Sequence, residues 1–169
     1  GGHVGADVAS VLIAEQPQNQ KNRTSLLIDI GTNAEILLAK GEEIFACSCP
    51  TGPALEGAQI SAGQRAAPGA IERVRIDSIT KEPSFKVIGC EQWSNDEGFM
   101  DNVSGVGVTG ICGSGIIEAL GEMYLAGIIT TDGVIDGDKA AISSRIEADE
   151  RTFAYRITDT VRVTQNDVR

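Results

Sequence analysis

Positive charge is in short supply in this sequence: 14 Lys and Arg residues stand against 24 Asp and Glu in 169, a formal charge of −10. Nonspecific nucleic-acid binding rests on neutralising phosphates with Lys and Arg, so DNA and RNA drop out as general partners. Long apolar runs are missing as well. None approaches the roughly 20 residues that span a bilayer, so no segment is read as crossing a membrane. The four cysteines, Cys47, Cys49, Cys90 and Cys112, form no C-x-x-C pair and no ferredoxin-like run, which argues against a metal or Fe–S centre held within this chain. Gly1-Gly2-His3-Val4 has neither the basic start nor the apolar core of a secretory signal, and without one the scattered thiols suit a reducing cytoplasm. There is no initiator Met, so the start reads as internal. What is present is a hydrophobic fraction of 41% beside 22% charged residues, enough for a folded core in one domain or two small subdomains.

Residues 7–14, "DVASVLIA", place Val8, Val11 and Leu12 at helical spacing with Asp7 at the helix start, followed by a polar linker. Ser25 to Ile30, Glu35 to Ala39 and Glu43 to Ser48 alternate as strands, the last two joined by a turn at Lys40-Gly41-Glu42, and predict a three-stranded antiparallel meander. "PTGPALEGAQISAGQRAAPGA" reads as structured loop, with room for a short helix only in its middle. A strand pair is expected at Ile71 to Ile79 and Phe85 to Ile88, then a polar loop "EQWSNDEGFMDN" around Trp93. Trp93 is read as a half-buried loop anchor, with a partner surface as the alternative. The apolar face Ile116, Ile117, Leu120, Met123, Tyr124 predicts a helix over 114–127. Phe153 to Ile157 and Val161 to Val163 complete the strands, and Thr164 with Asp167 three residues on carries a capping-box signature for a last helix. The division expected is 1–49, with connecting helix and hairpin; 50–150, a Gly-rich and β-rich insertion; and 151–169, a return strand and the start of a helix.

Chemistry concentrates in Asp29-Ile30-Gly31-Thr32-Asn33, where a buried strand turns back on itself. Gly31 lets a phosphate approach the backbone, Thr32 and Asn33 add hydrogen-bonding side chains, and Asp29 can hold Mg²⁺ through water or orient an attacking water. An ordinary hairpin turn uses the same residue types. Gly110-Ile111-Cys112-Gly113-Ser114-Gly115 before a helix resembles an anion-binding N-terminus but lacks the P-loop Lys and the dinucleotide spacing, and close packing against a sheet explains it better. Cys112 there reads as a buried thiol rather than a reactive one. Asp7 is either a helix cap or a second carboxylate on the Mg²⁺ side, Glu35 faces phosphate or solvent, and His3 has no nameable partner.

"HVGADVASVLIA", "LLIDIGTNAEILL", "PALEGAQISAGQRAAPGAIERVRI", "GICGSGIIEALGEMYLAGII" and "VTQNDVR" together resemble the ATP-binding region of reductive activators of corrinoid proteins, in the acetate kinase, sugar kinase, Hsp70 and actin superfamily. The resemblance implies an α/β fragment of a larger protein: a ribonuclease-H-like, actin-like ATPase subdomain with mixed sheet, hairpin meander and β-rich insertion. It implies ATP and Mg²⁺ as ligands, with Asp29, Gly31, Thr32 and Asn33 as the second phosphate hairpin and Asp7 near Mg²⁺ or the attacking water. The [2Fe–2S] cluster typical of the family is expected elsewhere in the parent polypeptide, not in this chain. ATP hydrolysis would drive an electron onto a Co(II) corrinoid, so the expected partner is a corrinoid protein or its methyltransferase complex, with a homodimer left open. One wall of the ATP site is expected here, and the chain alone is expected to hydrolyse ATP very poorly. The alternatives are a non-catalytic docking module using Trp93 and the Gly-rich loops, and an activator of a dehydratase or reductase.

Overall fold

The computed structural model describes residues 4–20 and 22–169, which divide into two units, Gly1–Pro53 and Ala54–Arg169. His3 lies outside the described residues. The first unit opens with α1 (Ala6–Glu15), whose N-cap is Gly5; Asp7 sits inside the first turn and is not the cap. A carboxylate there faces the positive end of the helix dipole. The helix stops at Gln16, in the left-handed region at φ 42°, and a 3-10 turn, Pro17–Asn19, follows.

Strands β1 (Thr24–Ile30), β2 (Asn33–Lys40) and β3 (Glu43–Pro50) form the antiparallel meander that the alternation predicts, in the order β1-β2-β3. The β2–β3 turn demands a glycine, since Gly41 has φ 60°. Register sorts the side chains into two faces: Leu27 lies opposite Leu37 and Ser25 opposite Ala39, while Leu26 lies opposite Leu38 and Ile28 opposite Ile36. The first face is the covered one, with Leu37, Ala39, Val8 and Pro17 buried. On the second face Leu26 is 60% and Phe45 63% exposed, and Ile28, Ile30 and Leu38 are exposed with them.

In the second unit β4 (Ala70–Ile76) is the middle strand of a mixed sheet, antiparallel to β5 (Pro83–Val87) and parallel to the short β6 (Gly110–Ile111). The strand was expected to reach Ile79 but ends at Ile76, because the Asp77 carboxylate accepts the N–H groups of Ile79 and Thr80 and closes a turn. The only helical turn at the Gly-rich segment is a 3-10 turn, Pro53–Glu56, at its start rather than its middle. The polar stretch after Trp93, expected to be loop throughout, holds α2 (Phe99–Val103). Helix α3 (Gly113–Leu125) packs on β4. A third sheet, β7-β8-β9, comprises β7 (Ile146–Asp149), β8 (Thr152–Arg156) and β9 (Arg162–Thr164), and the expected capping box starts α4 (Gln165–Val168). One core joins these parts, including Ile71, Val74, Phe85, Ile111, Met123 and Tyr155. Buried Lys81 donates to the Ala126 carbonyl at 2.7 Å, closing the C-terminal end of α3.

Candidate phosphate-binding hairpin

The β1–β2 hairpin places four of the predicted residues together: Asp29 near the end of β1, Gly31 and Thr32 in the turn, and Asn33 as the first residue of β2. Asp7 stands on α1 in the same unit, and among the described residues no hydrogen bond joins it to the hairpin. Asp29 pairs directly with Glu35, and Glu35 pairs on its other side with Ser48. Residues directly opposite in an antiparallel pair share a face, so a polar row of Asp29, Glu35 and Ser48 crosses the three strands at the turn end of the sheet. Glu35 is only 8% exposed, and the Ser48 hydroxyl donates to its Oε1 at 2.9 Å. Glu35 thus lies on the covered face, away from the bulk solvent that was one of its two readings.

The turn's backbone is tied from two directions. The Gly31 N–H donates to the Asn33 carbonyl at 2.9 Å, tightening the turn on itself. From beyond β3, the N–H groups of Thr51 and Gly52 donate to the Thr32 carbonyl at 3.1 and 2.9 Å, and the Thr51 hydroxyl donates to the Gly31 carbonyl. Thr51 and Gly52 were not among the predicted site residues. Their part depends on a contact across 20 positions in sequence, and the only local hint is that they directly follow the strand facing Asn33.

Gly31 is half-buried, and its surroundings differ from those of the buried glycines Gly110 and Gly115. Its φ lies outside the left-handed region, and a Cβ added to it would meet nothing nearer than the Asn33 carbonyl oxygen at 3.6 Å, an ordinary contact. By contrast, a Cβ on Gly115 would lie 2.2 Å from the Ile71 carbonyl oxygen, and one on Gly110 2.7 Å from that of Ala62. Those two belong to the second Gly-rich motif, where packing accounts for the glycines. Cys112 there is buried, its thiol donating to the Ile71 carbonyl at 3.3 Å and lying 3.2 Å from the Ser114 hydroxyl. A cavity of 330 Å³ opens beside it, lined by Glu56, Arg65, Ala66, Cys112, Gly113 and Ser114.

Trp93 is half-buried, with the Arg75 guanidinium 5.8 Å and Lys86 Nζ 5.6 Å from its ring centre, and its backbone N–H donates to the Asp96 carboxylate at 2.8 Å. It anchors its loop. Among the described residues no group of three His, Cys, Asp or Glu side chains is placed to hold a metal ion, and no helix is long and apolar enough to cross a membrane.

Residues 23–169 match the family described as the C-terminal domain of RACo, the ASKHA domain. The chain belongs to this family. The ASKHA assignment agrees with the mixed-sheet α/β reading and with the resemblance to corrinoid activators. Among relatives, the corrinoid activation enzyme RamQ of Eubacterium limosum is 35% identical over 159 residues, 92% of this chain and 23% of RamQ. The [Co(II) methylated amine-specific corrinoid protein] reductase of Methanosarcina barkeri is 31% identical over 155 residues, 88% of this chain and 28% of the reductase. A solved structure, the reductive activator for corrinoid, iron-sulfur protein, superposes with a TM-score of 0.77 at 31% identity, over 98% of this chain and 25% of that one. This ASKHA chain therefore spans about a quarter of the length of the relatives it matches.

Proposed function

We propose that this chain is the ASKHA part of an ATP-dependent reductive activator of a corrinoid protein, acting in the cytoplasm, and that its β1–β2 hairpin forms one phosphate-binding wall of the ATP site. The observation that carries the reading is Gly31: neither its φ nor its neighbours require a glycine, so the space above its Cα is free for a group from outside the described chain. A phosphate oxygen approaching the backbone needs that space. Thr32 and Asn33 supply hydroxyl and amide hydrogen bonds beside it. Asp29 and Asp7 offer the hard carboxylate oxygens that Mg²⁺ prefers, reached through water. Mg²⁺, when bound, would neutralise charge developing on the phosphate oxygens. The residues of this chain bind, orient and shield; Asp29 also holds the attacking water in line. The electron delivered to the corrinoid comes, in this reading, through a [2Fe–2S] cluster in another part of the polypeptide, and the corrinoid protein or its methyltransferase complex is the partner.

The test uses the full-length polypeptide, with Mg-ATP binding by calorimetry, ATP turnover, and ATP-dependent conversion of a Co(II) corrinoid protein to Co(I) followed by absorbance. Asp29→Ala is expected to lower ATP turnover by about 10²-fold, the lower end for loss of a group that acts on the attacking water. Gly31→Ala is expected to leave the melting temperature unchanged while weakening ATP binding, since its Cβ fits the protein but not a phosphate. Normal ATP affinity in Gly31→Ala would overturn the reading. The 169-residue chain by itself, a quarter of its relatives' length, is expected to turn over ATP barely at all, and turnover by it that is lost in Asp29→Ala would refute the single-wall view.

A further inference from the structure

We infer that Thr51 is a positioning residue for the phosphate hairpin: through its hydroxyl bond to the Gly31 carbonyl it sets the plane of the turn that meets the nucleotide. The inference rests on the reading of β1–β2 as a phosphate wall. The last β1–β2 pair is Ile30 with Ala34, so Gly31, Thr32 and Asn33 form the turn, and its peptide planes are the parts least fixed by the flanking strands because the strand ladder holds only residues on either side. Here the carbonyls of Gly31 and Thr32 are both captured by the segment that follows β3, Gly31 by the Thr51 side chain and Thr32 by two backbone N–H groups. A peptide unit is rigid and planar, so fixing the Gly31 carbonyl also fixes the direction of the Thr32 N–H on the other side of the same bond. The hydroxyl of Thr51 therefore acts on the turn at one remove, with no need to touch the nucleotide.

The backbone and side-chain parts of this clasp are separable. Thr51→Val keeps the β-branched shape and both N–H donors to Thr32 and deletes only the hydroxyl, so the meander is left intact. Thr51→Ser restores the hydroxyl. Site geometry is sensitive to small displacements, and one neutral hydrogen bond corresponds to roughly a three- to tenfold change in an equilibrium.

The experiment compares wild type, Thr51→Val and Thr51→Ser in the full-length polypeptide, reading the KM for ATP, kcat, the melting temperature, and hydrogen exchange at the Gly31 to Asn33 amides. Thr51→Val is expected to raise the KM roughly three- to tenfold, in keeping with one lost hydrogen bond, with faster exchange at the turn and an unchanged melting temperature. Thr51→Ser is expected to restore both. If wild type fails to bind Mg-ATP, the phosphate-wall reading falls and this inference falls with it. If wild type binds, Gly31→Ala weakens binding, and Thr51→Val matches wild type in KM and turn exchange, the phosphate wall stands and the role of Thr51 is overturned. A Thr51→Val protein whose melting temperature drops and whose KM is not rescued by Ser also overturns it, by showing a purely structural role.

Discussion

At the scale of single residues, charge in this acidic chain is spent on local ties. Glu118 on α3 is the clearest case. Burial pushes its carboxyl up, but hydrogen bonds from Arg73 and Arg75 and from the Val74 N–H outweigh that and hold it down at about 2. The sign follows from the direction: a carboxylate lowered from 4.5 stabilises the fold in full above that pH, and the contribution is lost as pH falls from about 4.5 toward about 2. Both arginines are about half exposed, so solvent screens the pair. Glu118→Gln is accordingly expected to cost only about 1 to 2 kcal/mol at neutral pH, and the difference from wild type should shrink steadily below about pH 4.5 in a urea-denaturation series run from pH 7 to pH 2.5. Thr51 belongs to the same scale. Its position in the sequence gives little sign of a role beyond following the strand that faces Asn33, because the carbonyl it holds is 20 residues away and becomes its neighbour only once β3 has paired with β2.

At the scale of elements, α3 shows how two glycines in one helix can carry opposite meanings. Gly115 faces β4, where a Cβ would press on the Ile71 backbone at 2.2 Å and on the Ile111 side chain at 2.8 Å. Gly121 is exposed, with nothing within 4 Å of an added Cβ. Gly115→Ala must lift α3 off the strand and is expected to cost about 2 to 3 kcal/mol, in the upper part of the overpacking range, whereas Gly121→Ala should stabilise by roughly 0.5 to 1 kcal/mol through helix propensity. Thermal melts of the two variants check both signs. Sequence pattern made this helix, α1 and the meander legible because each carries its own periodicity. The short α2 escaped: its N-cap is Gly98 at φ 83° with no capping side chain, and five residues hold too little pattern to stand out from polar loop. Strand β7 escaped because Ile146-Glu147-Ala148-Asp149 has a single large apolar residue, and it is its pairing with β8 that makes it a strand. The hairpin at Gly31 was legible as a phosphate loop by composition, yet composition alone also described a plain turn. The open space around Gly31, which the phosphate proposal uses, is a property of the folded chain and not of its composition.

At the scale of the whole molecule, the two units are unequally built. The second has a core of some twenty buried apolar side chains, while in Gly1–Pro53 the buried apolar residues are Val8, Leu37 and Ala39 with Pro17, and one face of the meander is left exposed among the described residues. Local stability follows apolar burial, so amides of β1 and β3 are expected to exchange faster than those of β4 and β8 in hydrogen-exchange mass spectrometry of this chain; equal protection in both units would contradict the inequality. The aromatic residues are distributed just as unevenly. Trp93 is the only tryptophan, the two tyrosines are Tyr124 and Tyr155, and all three fall in Ala54–Arg169. Intrinsic fluorescence therefore watches one unit and is blind to the other. A fluorescence melt of this chain reports Ala54–Arg169, and a fluorophore engineered into the meander is needed before emission can follow the hairpin proposed to meet phosphate.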